Sequence, residues 1–219
     1  MNFGSLNLDY VYGVDHFVQP GETLAAISRD VKHGGKGLNQ SIALVRAGAD
    51  TAHAGCVGQG GESLLAMLVE EGARRGLNIA LNPSPYNDSL REVDYGKLTW
   101  VLVNEIEAEQ ITGESDPVNA WKVLHVRYPR LSALITLGGK GSMAFRVTDT
   151  GVETVRQAAQ RVHAVDTTAA GDTFTGYFIA GLMENMPLQA CMGRASHAAA
   201  ISVTRPGAAD SIPLRSEVE

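Results

Sequence analysis

The chain has 219 residues and a net charge of −6, with 44% hydrophobic and 19% charged residues. That is enough apolar material for one domain-sized core, and the charge excludes a general affinity for nucleic acid or anionic membranes. No apolar run reaches the length of a membrane span, residues 1–10 lack the basic and apolar stretches of a secretory leader, and Cys56 and Cys191 are spaced as free thiols. These features predict a cytoplasmic protein with no nucleic-acid and no membrane partner.

In chain order, residues 10–14 and 23–28 are predicted as short strands around the Pro20-Gly21 turn, forming a small β flap over a site. Helical patterns follow over 39–47 and 63–71. Residues 79–81 and 100–103 read as buried strands, 105–111 and 119–126 as helices, and 131–136 as another strand. The alternation predicts an α/β fold, a mainly parallel sheet with helices on both faces. Ligands in such sheets bind beyond the C-terminal strand ends.

Five stretches carry candidate chemistry. Gly34-Gly35-Lys36-Gly37-Leu38-Asn39-Gln40 precedes a helix; its glycines allow close backbone approach, and Lys36 and Asn39 can donate to sugar hydroxyls, although a plain Gly-rich turn would read the same. Gly58-Gln59-Gly60-Gly61 has only the spacing of a loop. Asn104-Glu105-Ile106-Glu107 follows a strand; Asn104 and Glu107 share a helical face and could orient a hydrated Mg²⁺, or simply form an acidic first turn. Thr136-Leu137-Gly138-Gly139-Lys140-Gly141 is a Gly-rich loop that could admit nucleotide phosphates or form an ordinary turn. Thr204-Arg205-Pro206-Gly207-Ala208 reads as a turn by composition. The most informative stretch is Asp166-Thr167-Thr168-Ala169-Ala170-Gly171-Asp172-Thr173-Phe174. Small residues at a helix start leave free N–H groups for an anion, and Asp172 lies close enough to take a proton from an alcohol. The apolar face of Phe174, Phe178, Ile179 and Leu182 reads as core. There is no Walker A loop, no metal-binding His spacing and no Ser/His/Asp triad signal.

Taken together and in order, these stretches resemble the ribokinase-like (PfkB-type carbohydrate kinase) family, nearest its ribokinase branch. Gly4 to Asp9 resembles the family's N-terminal substrate strand end. Gly34 to Gln40 is similar to GGKGxNQ, Asn104 and Glu107 to NxxE, and Asp166 to Asp172 to DTxxAGD. Ala80 to Pro85 and Val203 to Ala208 resemble AxNPxP and VTRPGA.

The resemblance implies a three-layer sandwich with a small β lid. It implies ATP-dependent phosphorylation of the 5-hydroxyl of ribose or a close relative, with Asp172 as general base. The amides of Ala169, Ala170 and Gly171 would form an anion hole. Asn7, Asp9, Gly35, Lys36 and Asn39 would hold the sugar. Asn104, Thr136, Gly138, Gly141 and Ser196 would line the ATP site, with Glu107 in the Mg²⁺ region. Asp166, Thr168, Ser202, Arg205, Gly207 and Ser211 fall where the family holds an activating K⁺. Deoxyribose, a nucleoside such as pseudouridine, or another sugar are alternative substrates. A non-catalytic sugar- or nucleotide-binding protein is the alternative of another class. A homodimer through the β lid is a further expectation.

Two departures from the resemblance stand out. Ala169 replaces a frequent Gly, with little expected loss because its amide can still donate. Residues 70–72 read as the end of an early family helix, and residues 73–78 as the approach to a much later strand. A single domain over 1–219 is therefore expected to lack a family segment at the 72/73 junction, with further lid strands, a helix, a central strand and a substrate-binding Glu. Residues left out at that point are favoured over a true deletion, since losing a central strand would expose two sheet edges.

Overall fold

A computed structural model describes residues 1–56 and 62–219; the Gly58–Gly61 expectation falls outside them. Strand β1 (Asn2–Ser5) leads into a hairpin of β2 (Asn7–Gly13) and β3 (Ser28–Gly34). Then come α1 (Lys36–Arg46), β4 (His53–Cys56), α2 (Glu62–Arg74) and β5 (Ala80–Leu81). The chain continues through β6 (Trp100–Asn104), α3 (Glu105–Thr112), α4 (Pro117–Arg127) and β7 (Ser132–Thr136). It ends with β8 (Ser142–Thr148), β9 (Gly151–Gln157), α5 (Ala170–Met183), α6 (Leu188–Ser202) and α7 (Arg215–Val218).

The main sheet has the order β5-β6-β7-β8-β9. It is parallel from β5 to β7 and antiparallel beyond, so the sheet is mixed. Alternation along β6 builds two cores, because successive side chains leave opposite faces of a strand. Trp100 and Leu102 join Tyr177, Phe178, Leu188 and Met192 beneath α5 and α6. Val101 and Val103 join Val69, Trp121 and Leu124 beneath α2 and α4. Two helical layers around one sheet make the expected three-layer α/β architecture. Each fully buried side chain of this size contributes roughly 1.5–3 kcal/mol.

The lid differs from its expected boundaries. Ser28–Gly34, not residues 23–28, pairs with Asn7–Gly13, in register from Asn7↔Gly34 to Gly13↔Ser28. Residues 14–27 form the connection, which turns at Gln19–Glu22. Charged Arg29, Asp30 and Lys32 mask the β3 pattern in sequence, yet an exposed hairpin tolerates them because neither face is a core. The Arg29 guanidinium lies 4.7 Å above the Tyr10 ring.

Two features surround the 72/73 junction. Helix α2 runs unbroken from Glu62 to Arg74 instead of ending at Gly72, and Leu77 N donates to Gly72 O. Strand β1 pairs only with β4, and β5 only with β6, so among the described residues the two pieces of sheet share no ladder. No described helix is long and apolar enough to cross a membrane.

Candidate active site

Helix α5 starts without a side-chain cap. Its N-cap, Ala169, sits at φ 60°, ψ 10°, in the left-handed region. The first-turn amides must therefore find other acceptors. Ala170 N reaches Thr167 O at 3.3 Å and Thr173 N reaches Ala169 O at 2.8 Å. Gly171 and Asp172 amides have no backbone acceptor among the described residues. Free N–H groups at the positive end of a 14-residue helix suit an anion. Ala170's amide, expected to be free, is partly turned to Thr167.

Asp172 is only 5% exposed and faces α1. Its Oδ2 accepts from Asn39 Nδ2 and its Oδ1 from Gln40 Nε2, both at 3.1 Å. The two helices can approach because Gly176 lies one turn beyond Asp172, against Ala43, one turn beyond Asn39; a β-carbon at Gly176 would run into the Ala43 side chain. Asn39 is also 5% exposed, and its Oδ1 has no hydrogen-bond partner. A buried carbonyl oxygen without a donor is unfavourable by about 1–3 kcal/mol, so this atom is open to a donor from water or a ligand. Gln40 was not among the expected site residues. Its signal was the last letter of GGKGLNQ, but only the packing of α1 on α5 brings it to Asp172.

On the other side of the α5 start lies a cavity of about 380 Å³. Thr136, Gly138, Gly141 and Ser196 line it with Thr167, Ala170 and Gly171. Four of the five expected nucleotide residues thus meet at one place, beside the helix start; Asn104 does not line this cavity. Gly141 is fixed by its geometry: φ is 101°, and a β-carbon would collide with the Gln157 carbonyl. Asn104 stands opposite Thr136 in the β6–β7 ladder, at the same sheet end. Asn104 and Glu107 form a reciprocal capping box: Glu107 N donates to Asn104 Oδ1 at 2.8 Å, and Asn104 N to Glu107 Oε2 at 3.0 Å. One Glu107 oxygen is thereby committed to the helix start.

Asp166 draws two loops together. Its Oδ1 accepts from Thr168 N at 2.9 Å and Thr168 Oγ1 at 2.6 Å, and its Oδ2 from Gly207 N at 2.9 Å. The Thr168 hydroxyl above all, then the two amides, holds this carboxyl below its ordinary range. Ser202 and Ser211 are buried, and their hydroxyls donate to Ala199 O and Ala208 O. Arg205 is drawn away to Glu217 at 2.6 Å. Among the described residues no cluster of three or more His, Cys, Asp or Glu could hold a metal ion.

The sugar-side residues sit where β2, β3 and α1 meet. Asn7 opens β2 opposite Gly34, and Asp9 lies opposite Lys32 with its carboxylate against Gly34. Gly35 is the α1 N-cap, and Lys36 opens α1 three residues before Asn39. Lys32 reaches from the lid to Asp210 at 3.4 Å. Only Asn39 of the expected sugar residues touches Asp172.

An anion-ready helix start with a carboxylate on one side and a glycine-lined cavity on the other defines an α/β phosphotransferase site. Residues 73–215 match the model of the pfkB family of carbohydrate kinases. The chain belongs to the pfkB carbohydrate kinase family. A ribokinase of Haemophilus influenzae is 28% identical, with 98% of the chain and 95% of the relative covered. That alignment spans 299 positions against 219 residues, so at least 80 positions of the relative face no residue here. A deoxyribokinase of Salmonella typhi is 34% identical over 66% of the chain and 47% of its own length. The crystal structure of a Thermotoga maritima ribokinase has a TM-score of 0.79 at 27% identity, covering 99% of this chain and 96% of that one. A Cryptococcus neoformans ribokinase in complex with ADP has a TM-score of 0.82 at 24% identity, covering 99% and 97%.

Proposed function

We propose that the protein transfers the γ-phosphoryl group of ATP to the 5-hydroxyl of ribose or a closely related pentose. One observation carries this reading: Asp172, buried beside the unpartnered Asn39 oxygen, lies across the α5 start from the glycine-lined cavity. The sugar hydroxyl approaches from the α1 side, and Asp172 takes its proton as the oxygen attacks phosphorus in line. The free amides at the α5 start, those of Gly171 and Asp172 and also Ala169, stabilise the charge developing on the phosphoryl oxygens. Asn39 Oδ1 accepts a sugar hydroxyl, while Asn7, Asp9, Gly35 and Lys36 close around the remaining ones. Thr136, Gly138, Gly141 and Ser196 hold the nucleotide.

The oxygen-only chemistry of the residues near the phosphates suits Mg²⁺ arriving with ATP and retaining waters, with Asn104 and the remaining Glu107 oxygen orienting that shell. One ionised carboxylate, Asp166, amid neutral oxygens of Thr168, Ser202, Ser211 and the Arg205–Gly207 backbone suits a monovalent cation such as K⁺. Bound there, the cation would add positive potential at the anion hole. The exposed Leu8, Tyr10, Val11, Tyr12 and Val31 of the two-stranded lid favour a homodimer through that lid, since an isolated hairpin is marginally stable. The site chemistry, with the free Cys191 thiol and ATP, fits the cytoplasm.

The chain forms a single domain over residues 1–219 that is short of a family segment at the 72/73 junction. The family match beginning at residue 73, the unmatched positions of the H. influenzae relative and the unjoined β1 and β5 edges support this. The same shortening favours, as a second reading, binding of sugar or nucleotide without turnover. A coupled ADP assay over ribose, deoxyribose, pseudouridine and other sugars, with an intact mass of the purified protein, tests these statements. Expected are a mass above the 23.2 kDa of these 219 residues, in keeping with residues left out at 72/73, and ribose-dependent ADP release that Asp172→Asn lowers by roughly a hundred-fold or more; a mass near 23.2 kDa would make the deletion real. Equal turnover by Asp172→Asn would remove the mechanism. Binding of ribose or ATP without ADP would favour the second reading.

A further inference from the structure

We infer that Gln40 is a positioning residue for the base: its side-chain amide fixes the orientation of the Asp172 carboxylate. This rests on Asp172 acting as proposed above. Asp172 sits in the first turn of α5 and has rotatable bonds of its own, so burial alone does not set which oxygen faces the incoming alcohol. Two consecutive residues of α1 set it. Asn39 Nδ2 donates to Oδ2 and Gln40 Nε2 to Oδ1, each at 3.1 Å. Two donors on two oxygens define the carboxylate plane, where one donor would leave it free to rotate.

The two amides divide the work. Asn39 is 5% exposed and has an oxygen with no partner, so it faces the ligand as well as the base. Gln40 touches the base and has no such buried orphan. It also lies one residue further along α1, turned away from Asn39 by about 100° of helix. Each carboxylate oxygen offers two acceptor sites, so Oδ1 and Oδ2 can each keep an amide and still receive the alcohol proton. Gln40 therefore remains in place through the reaction. Losing it leaves the sugar contacts intact and misplaces only the base.

Gln40→Leu and Gln40→Glu separate this role from simple space filling. Leu removes the donor, whereas Glu keeps the shape but sets a second carboxylate against the first. Expected is a fall in kcat of roughly ten-fold for Gln40→Leu and more for Gln40→Glu, with the sugar KM within about two-fold of wild type. A purely structural role predicts the reverse order, with Gln40→Glu near wild type and Gln40→Leu impaired. That order, or an equal rise of KM in both, overturns the inference. Crystal structures of the unliganded wild type and Gln40→Leu give an activity-independent readout. A single Asp172 rotamer in the wild type and more than one in Gln40→Leu supports positioning; one unchanged rotamer in both overturns it. If the wild type shows no sugar-dependent ADP formation while the rotamers behave as expected, the kinase reading fails and only the orientation of the Asp172 carboxylate by Gln40 stands.

Discussion

Asn39 and Asp172, separated by 133 positions in sequence, meet at 3.1 Å through one amide N–H, while the oxygen of that same amide has no donor. One side chain thus serves the base with one end and awaits a ligand with the other. Asn39→Ala removes both. The expected result is a rise in sugar KM of roughly ten-fold or more together with a loss of kcat, since a buried hydrogen-bonded pair is broken on each side. Steady-state kinetics over sugar concentration checks this. A change confined to ATP KM would contradict the placement.

Ala169 adopts a left-handed conformation that disfavours a β-carbon. Glycine relieves that strain, roughly 1–2 kcal/mol, but gives back roughly 0.5–1 kcal/mol of chain entropy. Ala169→Gly is expected to stabilise the fold by about 0.5 kcal/mol, read from the urea midpoint, while its amide leaves turnover close to wild type. Clear destabilisation would mean that the residue leaves the left-handed region in solution.

Gly141 admits no side chain, because its φ is positive and the Gln157 carbonyl fills the space of a β-carbon. Gly141→Ala must displace the 138–141 turn or the end of β9. Expected is a loss of roughly 2 kcal/mol or more and weaker ATP binding, because this turn lines the cavity. Denaturant unfolding and nucleotide calorimetry give the two readings.

Asp166 contributes a pH dependence whose sign follows from its three donors. Its carboxyl titrates lower in the folded protein than in the unfolded chain. The stability it adds is therefore fully present above the ordinary carboxylate range and is lost as pH falls through the lowered folded value. Melting curves of wild type and Asp166→Asn should differ at neutral pH and converge as acidification carries through the lowered folded value. A gap that widens on acidification would contradict the geometry.

Much of this was legible in the sequence because it is local. The strand expected at 100–103 and the helix at 105–111 are fixed by an apolar run followed by Asn104 and an acidic first turn, and the structure extends each by one residue at its C-terminal end. The Asp172 stretch was legible because a helix start with small residues has few alternatives. The lid strand at 28–34 was not legible. Its pairing is set by the partner strand across a 14-residue connection, and nothing in Arg29, Asp30 or Lys32 announces it. Gln40 was overlooked for a related reason. Whether a helix residue faces a base depends on how two helices cross, and here Gly176 and Ala43 determine that. The Asn104–Glu107 pair shows the limit of motif chemistry, since the spacing that suggests a cation site also makes a complete helix cap.

The separation of β1–β4 from the main sheet divides the molecule by how it opens. Inner strands such as β6 and β7 are held by neighbours on both sides, whereas among the described residues each strand of the β1–β4 pair has one. Backbone amides in the pair therefore exchange with solvent through a local opening that leaves β6 and β7 closed. That opening loosens the β1 anchor of the lid and of α1, and with it the sugar-facing residues, while the glycine-lined cavity stays intact. Nucleotide binding should consequently survive mild denaturant longer than sugar binding does.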